Sequence, residues 1–311
     1  MNQSSRTEVA TWDILGLGAV AVDDLVYLDA FPQPDSKARV RLRERHAGGL
    51  CATALAAAAR LGSRCAYLGV LGDDELSRFS LAELRRAGVD VSQVLAAAGA
   101  RPHHSTILVE AQHKTRTILS FDDGVTPFPS AQITPQILQR ARVIFLDHGT
   151  RGAAITSAAR AANVPTVADI ERIAPGVEEW IGRVDHLIVG ENLARQLTGH
   201  SSALKSVRQL AQGRALAVVT RGDRGCVACG HETELQVLEL PAFAVEAIDT
   251  TGCGDVFHGA YAAELARGSG VPLRLKIASA AAAIKARHRG GRGGLPSREQ
   301  ALALELELAS S

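Results

Sequence analysis

The sequence predicts an α/β fold, a doubly wound and mostly parallel sheet with a small β lid, and three observations lead to it. From about Val143 onward, short apolar runs alternate with helix-like stretches. Those runs are apolar at every position, as in strands covered on both faces of a parallel sheet. Two segments nearer the N-terminus alternate strictly instead, which is the period of a sheet with one open face.

The elements follow in order. Ile14-Leu15-Gly16-Leu17 reads as the first buried strand. Gly16-Leu17-Gly18 lacks the third glycine of a dinucleotide-binding fingerprint, and Val20 to Leu28 does not continue as a clean helix, so a dehydrogenase is disfavoured. Arg39 to Arg45 alternates, with arginine at every second position, and reads as a solvated strand face that discourages edge pairing. Leu50 to Leu61 is an Ala-rich helix closed by Gly62. His104–Glu110 and Thr115–Phe121 read as a hairpin around Ala111-Gln112-His113-Lys114. The half-covered segments, approximately 20–46 and 102–122, are expected to form a flap over the C-terminal edge of the sheet, where open α/β folds bind ligands. Strands are then expected at Val143–Leu146, Val164–Ile170, Leu187–Val189 and Leu216–Val219. Helices are expected over Ala153–Ala162, Glu178–Ile181, a stretch through Leu193 and Leu197, Leu204–Gln212 and Ala280–Ala286.

A chain of 311 residues, 46% hydrophobic and 22% charged, suits one large α/β domain spanning 1–311. The formal net charge of +1, with no aromatics interleaved in the arginine stripe, disfavours nucleic acid and anionic membranes as partners. No apolar run reaches the roughly 18 residues of a membrane helix. The odd number of cysteines, 5, and an N-terminus without a basic region and apolar core point to the cytoplasm. Cys226-x-x-Cys229 has no second pair and reads as core thiols.

Most of the chemistry is carried by Asp249-Thr250-Thr251-Gly252-Cys253-Gly254-Asp255-Val256-Phe257-His258-Gly259. A turn poor in side chains runs into a helix start near Asp255, so unpaired amides and the positive dipole end converge on an anion. Asp255 beside such a site suits proton abstraction from an attacking hydroxyl; the alternative is a helix cap. Thr220-Arg221-Gly222-Asp223-Arg224-Gly225 follows a strand and lets a ligand press on backbone.

The Asp249–Gly259 run resembles the second signature of the ribokinase, or PfkB, family of carbohydrate kinases, D-T-x-G-A-G-D followed by an aromatic and a glycine, with Cys253 at the usual alanine. Ala47 to Ala56 resembles the first signature, with Thr53 where asparagine is usual, and Thr220 to Gly225 resembles the family's T-x-G-x-x-G. The resemblance implies a ribokinase-like three-layer sandwich in which Asp255 is the catalytic base and Gly252, Cys253 and Gly254 form the anion hole. It implies sugar contacts at Asp23, Gly48, Gly49 and Thr53, and nucleotide contacts at Thr220, Gly222, Gly225, Asp249 and Thr251. Gly190 to Gly199 resembles the N-x-x-E segment with Gly190 and Leu193 at two of its positions, which leaves Glu191 as a water-mediated magnesium candidate. Ala280 to Pro296 is similar to the family's closing helix and loop, beside the adenine and a frequent site for a monovalent cation such as K+. Asp-Val-Phe-His-Gly and Lys37 are closest in appearance to the sulfofructose kinase branch, where a lysine meets an anionic substrate. The implied protein is an ATP- and Mg2+-dependent kinase of a sugar hydroxymethyl on a ketohexose, pentose or acidic sugar derivative, dimerising through its lid. The alternatives are a nucleoside kinase and a non-catalytic sugar- or nucleotide-binding regulator.

Overall fold

In a computed structural model of the chain, residues 10–309 are described apart from 111, 113, 114 and 150. The chain enters through β1 (Trp12–Leu17), then β2 (Ala21–Leu28) and β3 (Val40–Gly48), which lead into α1 (Leu50–Arg60). β4 (Cys65–Tyr67), β5 (Val70–Leu71), α2 (Glu75–Arg86), β6 (Val89–Asp90) and β7 (Leu95–Ala96) follow, then β8 (His103–Glu110) and β9 (Thr115–Phe121). The second half runs α3 (Pro135–Leu138), β10 (Ala141–Asp147), α4 (Gly152–Ala162), β11 (Thr166–Ile170), β12 (His186–Gly190), α5 (Glu191–Thr198), α6 (Ala203–Leu210) and β13 (Leu216–Thr220). It closes with β14 (Cys226–Cys229), β15 (Leu238–Leu240), α7 (Cys253–Ala266), α8 (Val271–Ala286) and α9 (Arg298–Ala309).

The large sheet has the order β15-β14-β13-β12-β11-β10-β1-β4-β6, parallel from β13 to β6, with β14 and β15 antiparallel at one edge. The chain builds outward from β1 through β4 and β6, then returns to β10 on the other side of β1. Ligands in open α/β sheets bind outside the strand ends at such a reversal. β10 is apolar at successive positions because both its faces are covered: Ile144 and Leu146 join the core under α4, α5 and α6, whereas Val143 and Phe145 join the core under α1, α7 and α8. Gly259 of α7 packs so closely on α1 that a Cβ there would overlap the Ala54 carbonyl. That contact fixes where the first turn of α7 emerges at the strand ends.

The strictly alternating segments form a separate four-stranded sheet of order β3-β2-β8-β9, with β8 and β9 antiparallel as expected of the hairpin. Three of the four residues expected to turn it, Ala111, His113 and Lys114, lie outside the described residues. Its two halves join through the parallel pair β2 and β8, in which Asp23 is opposite Ser105.

Two expectations need correction. Glu178–Ile181 is not one helix but part of two 3₁₀ turns, Val177–Glu179 and Ile181–Arg183, on either side of Trp180. Trp180 is 3% exposed and packs where a Cβ on Gly152 would stand, so burial of the indole sets the local path. The arginine stripe is not uniformly solvated, because Arg45 turns inward to Asp24 at 2.8 Å and Glu75 at 2.6 Å. Asp24 is accordingly held down to about 2, chiefly by the Arg45 hydrogen bond. Cys226 and Cys229 lie in a buried strand as free thiols, and burial pushes Cys226 up to about 11. No helix among the described residues is long and apolar enough to cross a membrane.

Candidate active site

The turn ahead of α7 is built by Asp249 and Gly252. Asp249 accepts the Thr251 and Gly290 amides at 2.8 Å each, and these bonds hold it below the usual carboxylate range although its burial opposes them. Gly252 is the N-cap at φ 76, a left-handed conformation that favours glycine, and a Cβ there would overlap the Gly291 carbonyl. The Cys253 amide donates to the Thr250 carbonyl at 3.2 Å, so it is engaged in the turn. Gly254 stands second in the helix, and a Cβ there would meet no atom within 4 Å. Its amide and that of Asp255 occupy the first turn, where the helix itself supplies no acceptor. Asp255 is third in the helix and makes no capping bond, which removes the cap reading.

Asp255 shares its surroundings with three other acids. Asp147 ends β10, Asp169 lies within β11, and Glu171 directly follows β11. Burial drives Asp255 well above the usual carboxylate range, reinforced by Asp169 and Glu171 and opposed by Arg292. Burial also raises Asp169, against the opposing charge of His258, and pushes Asp147 up to about 6. Asp147 receives the Ala19 and Gly149 amides at 2.6 and 2.8 Å and so clamps the end of β1. Asp169 is 1% exposed, and its Oδ2 has no hydrogen-bond partner among the described residues. Its Oδ1 lies 3.4 Å from His258 Nε2. The same ring ties α7 to β12, with Nδ1 2.7 Å from the Gly254 carbonyl and Nε2 3.1 Å from that of Ile188.

In the four-stranded sheet, Asp23 leans over Gly48 so closely that any Cβ there would collide with its carboxylate. Burial raises Asp23, and the Ser105 hydroxyl opposes that shift. Gly49 is the N-cap of α1, and Thr53 lies one turn in and is buried. Arg292 Nε donates to Thr53 Oγ1 at 3.2 Å and Nη2 to the Gly48 carbonyl at 2.8 Å. Burial lowers Arg292 to about 10, and the charges of Asp255 and Asp23 oppose that shift. One guanidinium thus lies in the field of both carboxylates. In the sequence Arg292 stands between two glycine pairs, which marks the loop but not the distant Thr53 and Gly48 that it meets.

Thr220, Gly222 and Gly225 line an apolar cavity of about 500 Å³ that continues past Phe243 to Cys253 and Gly254. The cavity therefore joins the turn after β13 to the anion turn. Of the remaining candidates, Thr251 is exposed and accepts from Arg116 of β9 at 2.8 Å, while its neighbour Thr250 lines the cavity. Glu191 opens α5 and pairs with Arg224, apart from the acids around Asp255. Lys37 is exposed in the loop between β2 and β3. Among the described residues no group of three or more His, Cys, Asp and Glu side chains forms a metal cage. A hard cation carried on ligand phosphates, with one or two carboxylates and water completing its shell, fits the unsatisfied Asp169 oxygen better than Glu191.

Residues 14–298 match the model of the pfkB family of carbohydrate kinases. The chain is 25% identical over 293 residues to a ribokinase of Bacillus subtilis, covering 93% of this chain and 97% of the relative. It is 24% identical over 278 residues to the ketohexokinase of Mus musculus, covering 85% and 92% of the two chains. Among solved structures, Arabidopsis thaliana ribokinase complexed with ribose and ATP superposes with a TM-score of 0.85 at 20% identity, over 95% of this chain and 99% of that one.

Proposed function

This chain belongs to the pfkB family of carbohydrate kinases, and on that footing we propose that it transfers the γ-phosphoryl group of ATP to a hydroxymethyl group of a sugar. The observation that carries the proposal is the cavity running from Gly222 and Gly225 to Gly254, the residue before Asp255, with Arg292 bonded to Thr53 and Gly48 and lying in the field of both Asp255 and Asp23. A nucleotide base would occupy the apolar end and its phosphates the glycine turn.

Asp255 would take the hydroxymethyl proton as the sugar oxygen bonds to the γ-phosphorus and the bond to ADP breaks. A carboxyl whose proton affinity is raised by burial and like charge is a stronger base once ionised. The Gly254 and Asp255 amides would carry the developing negative charge, with Arg292 adding positive charge from the sugar side. Magnesium bound with ATP would neutralise phosphate charge, and Asp169 would hold it through water. The four-stranded sheet would serve as a lid, joined to the anion turn by Arg116 and Thr251.

Asp23→Ala is expected to raise the Michaelis constant for the sugar by at least about tenfold, the scale of a lost charge-assisted hydrogen bond. ATP affinity should hold, because Asp23 lies on the lid side, away from the apolar cavity. Calorimetry with each ligand checks this; weakened ATP with unchanged sugar would reassign the cradle.

The lid exposes Ile118, Leu119 and Phe121 of β9 and Val40 and Leu42 of β3, each 46–53% accessible. Val40, Leu42 and Ile118 share one face of this sheet and Leu119 and Phe121 the other, and apolar side chains left exposed on the sheet support a homodimer through it. Sedimentation should give a dimer that Ile118→Glu with Phe121→Glu converts to monomer; an unchanged monomer in both would remove the lid interface. The free cysteines agree with a cytoplasmic enzyme. A panel of pentoses, ketohexoses, acidic sugars and nucleosides, read as ATP consumed per acceptor, tests the reaction and selects the substrate.

A further inference from the structure

Lys285 is a buried charged side chain with no part in the reaction described above. It stands in the last turn of α8, is 0% exposed, and its Nζ donates to the Asp249 main-chain oxygen at 2.8 Å. That carbonyl opens the turn whose far end presents Gly254 and Asp255. The surrounding backbone is closely tied, since the Ile248 and Asp249 amides both donate to the Ala286 carbonyl, at 2.7 and 3.0 Å. The positive charge also helps to hold the Asp249 carboxylate low, and that carboxylate fixes the Thr251 and Gly290 amides. A buried cation costs free energy unless it is paired. Here its partners are a carbonyl, a nearby carboxylate and the negative end of α8.

The resemblance led to a monovalent cation such as K+ beside this closing helix and loop. The residues of this chain do not fit it there, because the Lys285 amine already occupies the space between α8 and the Asp249 carbonyl. An ammonium group and a potassium ion carry the same charge, are similar in size and are both attracted by carbonyl oxygens. A second cation alongside would be repelled by the first.

We propose that Lys285 is a tethered cation that positions the anion turn and makes this protein independent of free monovalent cations. Lys285 is a positioning residue, acting through the Asp249 carbonyl. The turnover readout below rests on the kinase reading, whereas the unfolding readout does not. Wild-type sugar-dependent turnover should stay within about twofold when KCl is replaced by N-methylglucamine chloride at equal ionic strength, so that only the specific cation changes. Lys285→Ala in N-methylglucamine should lose about tenfold, the scale of one charge-assisted hydrogen bond, and regain most of it on adding K+ or NH4+. Its thermal midpoint, measured without sugar or nucleotide, should rise with K+ or NH4+ by mass action while that of wild type does not. Several-fold activation of wild type by K+ would overturn the proposal, as would a variant whose rate and midpoint both ignore the cation. Should Lys285→Ala not fold, Lys285→Met and the wild-type salt comparison decide. Absence of sugar-dependent turnover in every salt would remove the kinase reading and leave the midpoints to decide the tethered cation.

Discussion

Asp255→Asn is expected to lower turnover by about a hundredfold or more, the scale of a lost general base, while ATP and sugar still bind. The amide is nearly isosteric with the carboxyl and relieves repulsion from Asp169 and Glu171, so the variant should fold at least as well as wild type. The pH profile gives the effect a signature. Burial and like charge raise the proton affinity of Asp255, so the ionised, base-competent form is lost as pH falls. The rising limb of kcat/KM should therefore lie above the value of about 4 typical of an ordinary aspartate, and Asp255→Asn should abolish that limb. Turnover within a few-fold of wild type, with the limb intact, would remove Asp255 from the mechanism.

Gly254→Val should separate activity from stability. A Cβ at Gly254 meets no protein atom within 4 Å, so the side chain enters open space at the helix start. Replacing glycine within a helix recovers a few tenths of a kcal/mol or more of backbone entropy, and the melting temperature should hold or rise slightly. The same side chain would fill the volume in which the amides meet a phosphate. We expect at least about tenfold loss of kcat/KM for ATP, comparable to losing one donor to an oxyanion. Calorimetric melting together with steady-state kinetics checks both halves. Unchanged kinetics would show that no phosphate approaches Gly254, and a collapsed melting temperature would show that the space is not free.

The parts of the fold and site that are legible in the sequence are those whose physics is local. The apolar runs from Val143 onward report strands covered on both faces, and β10 shows this by sending alternate side chains into two cores. The turn from Asp249 to Asp255 is contiguous, so its glycines, its Asx bond and its helix start can be read from one segment. Contacts between distant segments are hidden. Asp23 over Gly48 depends on the register of β2 and β3, and Arg292 reaches Thr53 from the far end of the chain. Glu191 attracted a metal assignment through its neighbours in sequence, but its partner is Arg224, in the turn after β13. Glu178–Ile181 has helical spacing, yet the burial of Trp180 divides it into two turns. β3, β8 and β9 are readable as alternating strands, whereas β2, and its parallel pairing with β8 that joins them into one sheet, are not.

The most direct measurement is sugar-dependent release of ADP from Mg·ATP across an acceptor panel, with the product identified by phosphorus NMR. The account predicts that at least one sugar yields a phosphate ester on its hydroxymethyl oxygen, and that Asp255→Asn suppresses this by about a hundredfold or more with ATP still bound. ATP binding without ester formation on any sugar, or an ester formed equally well by Asp255→Asn, would contradict it.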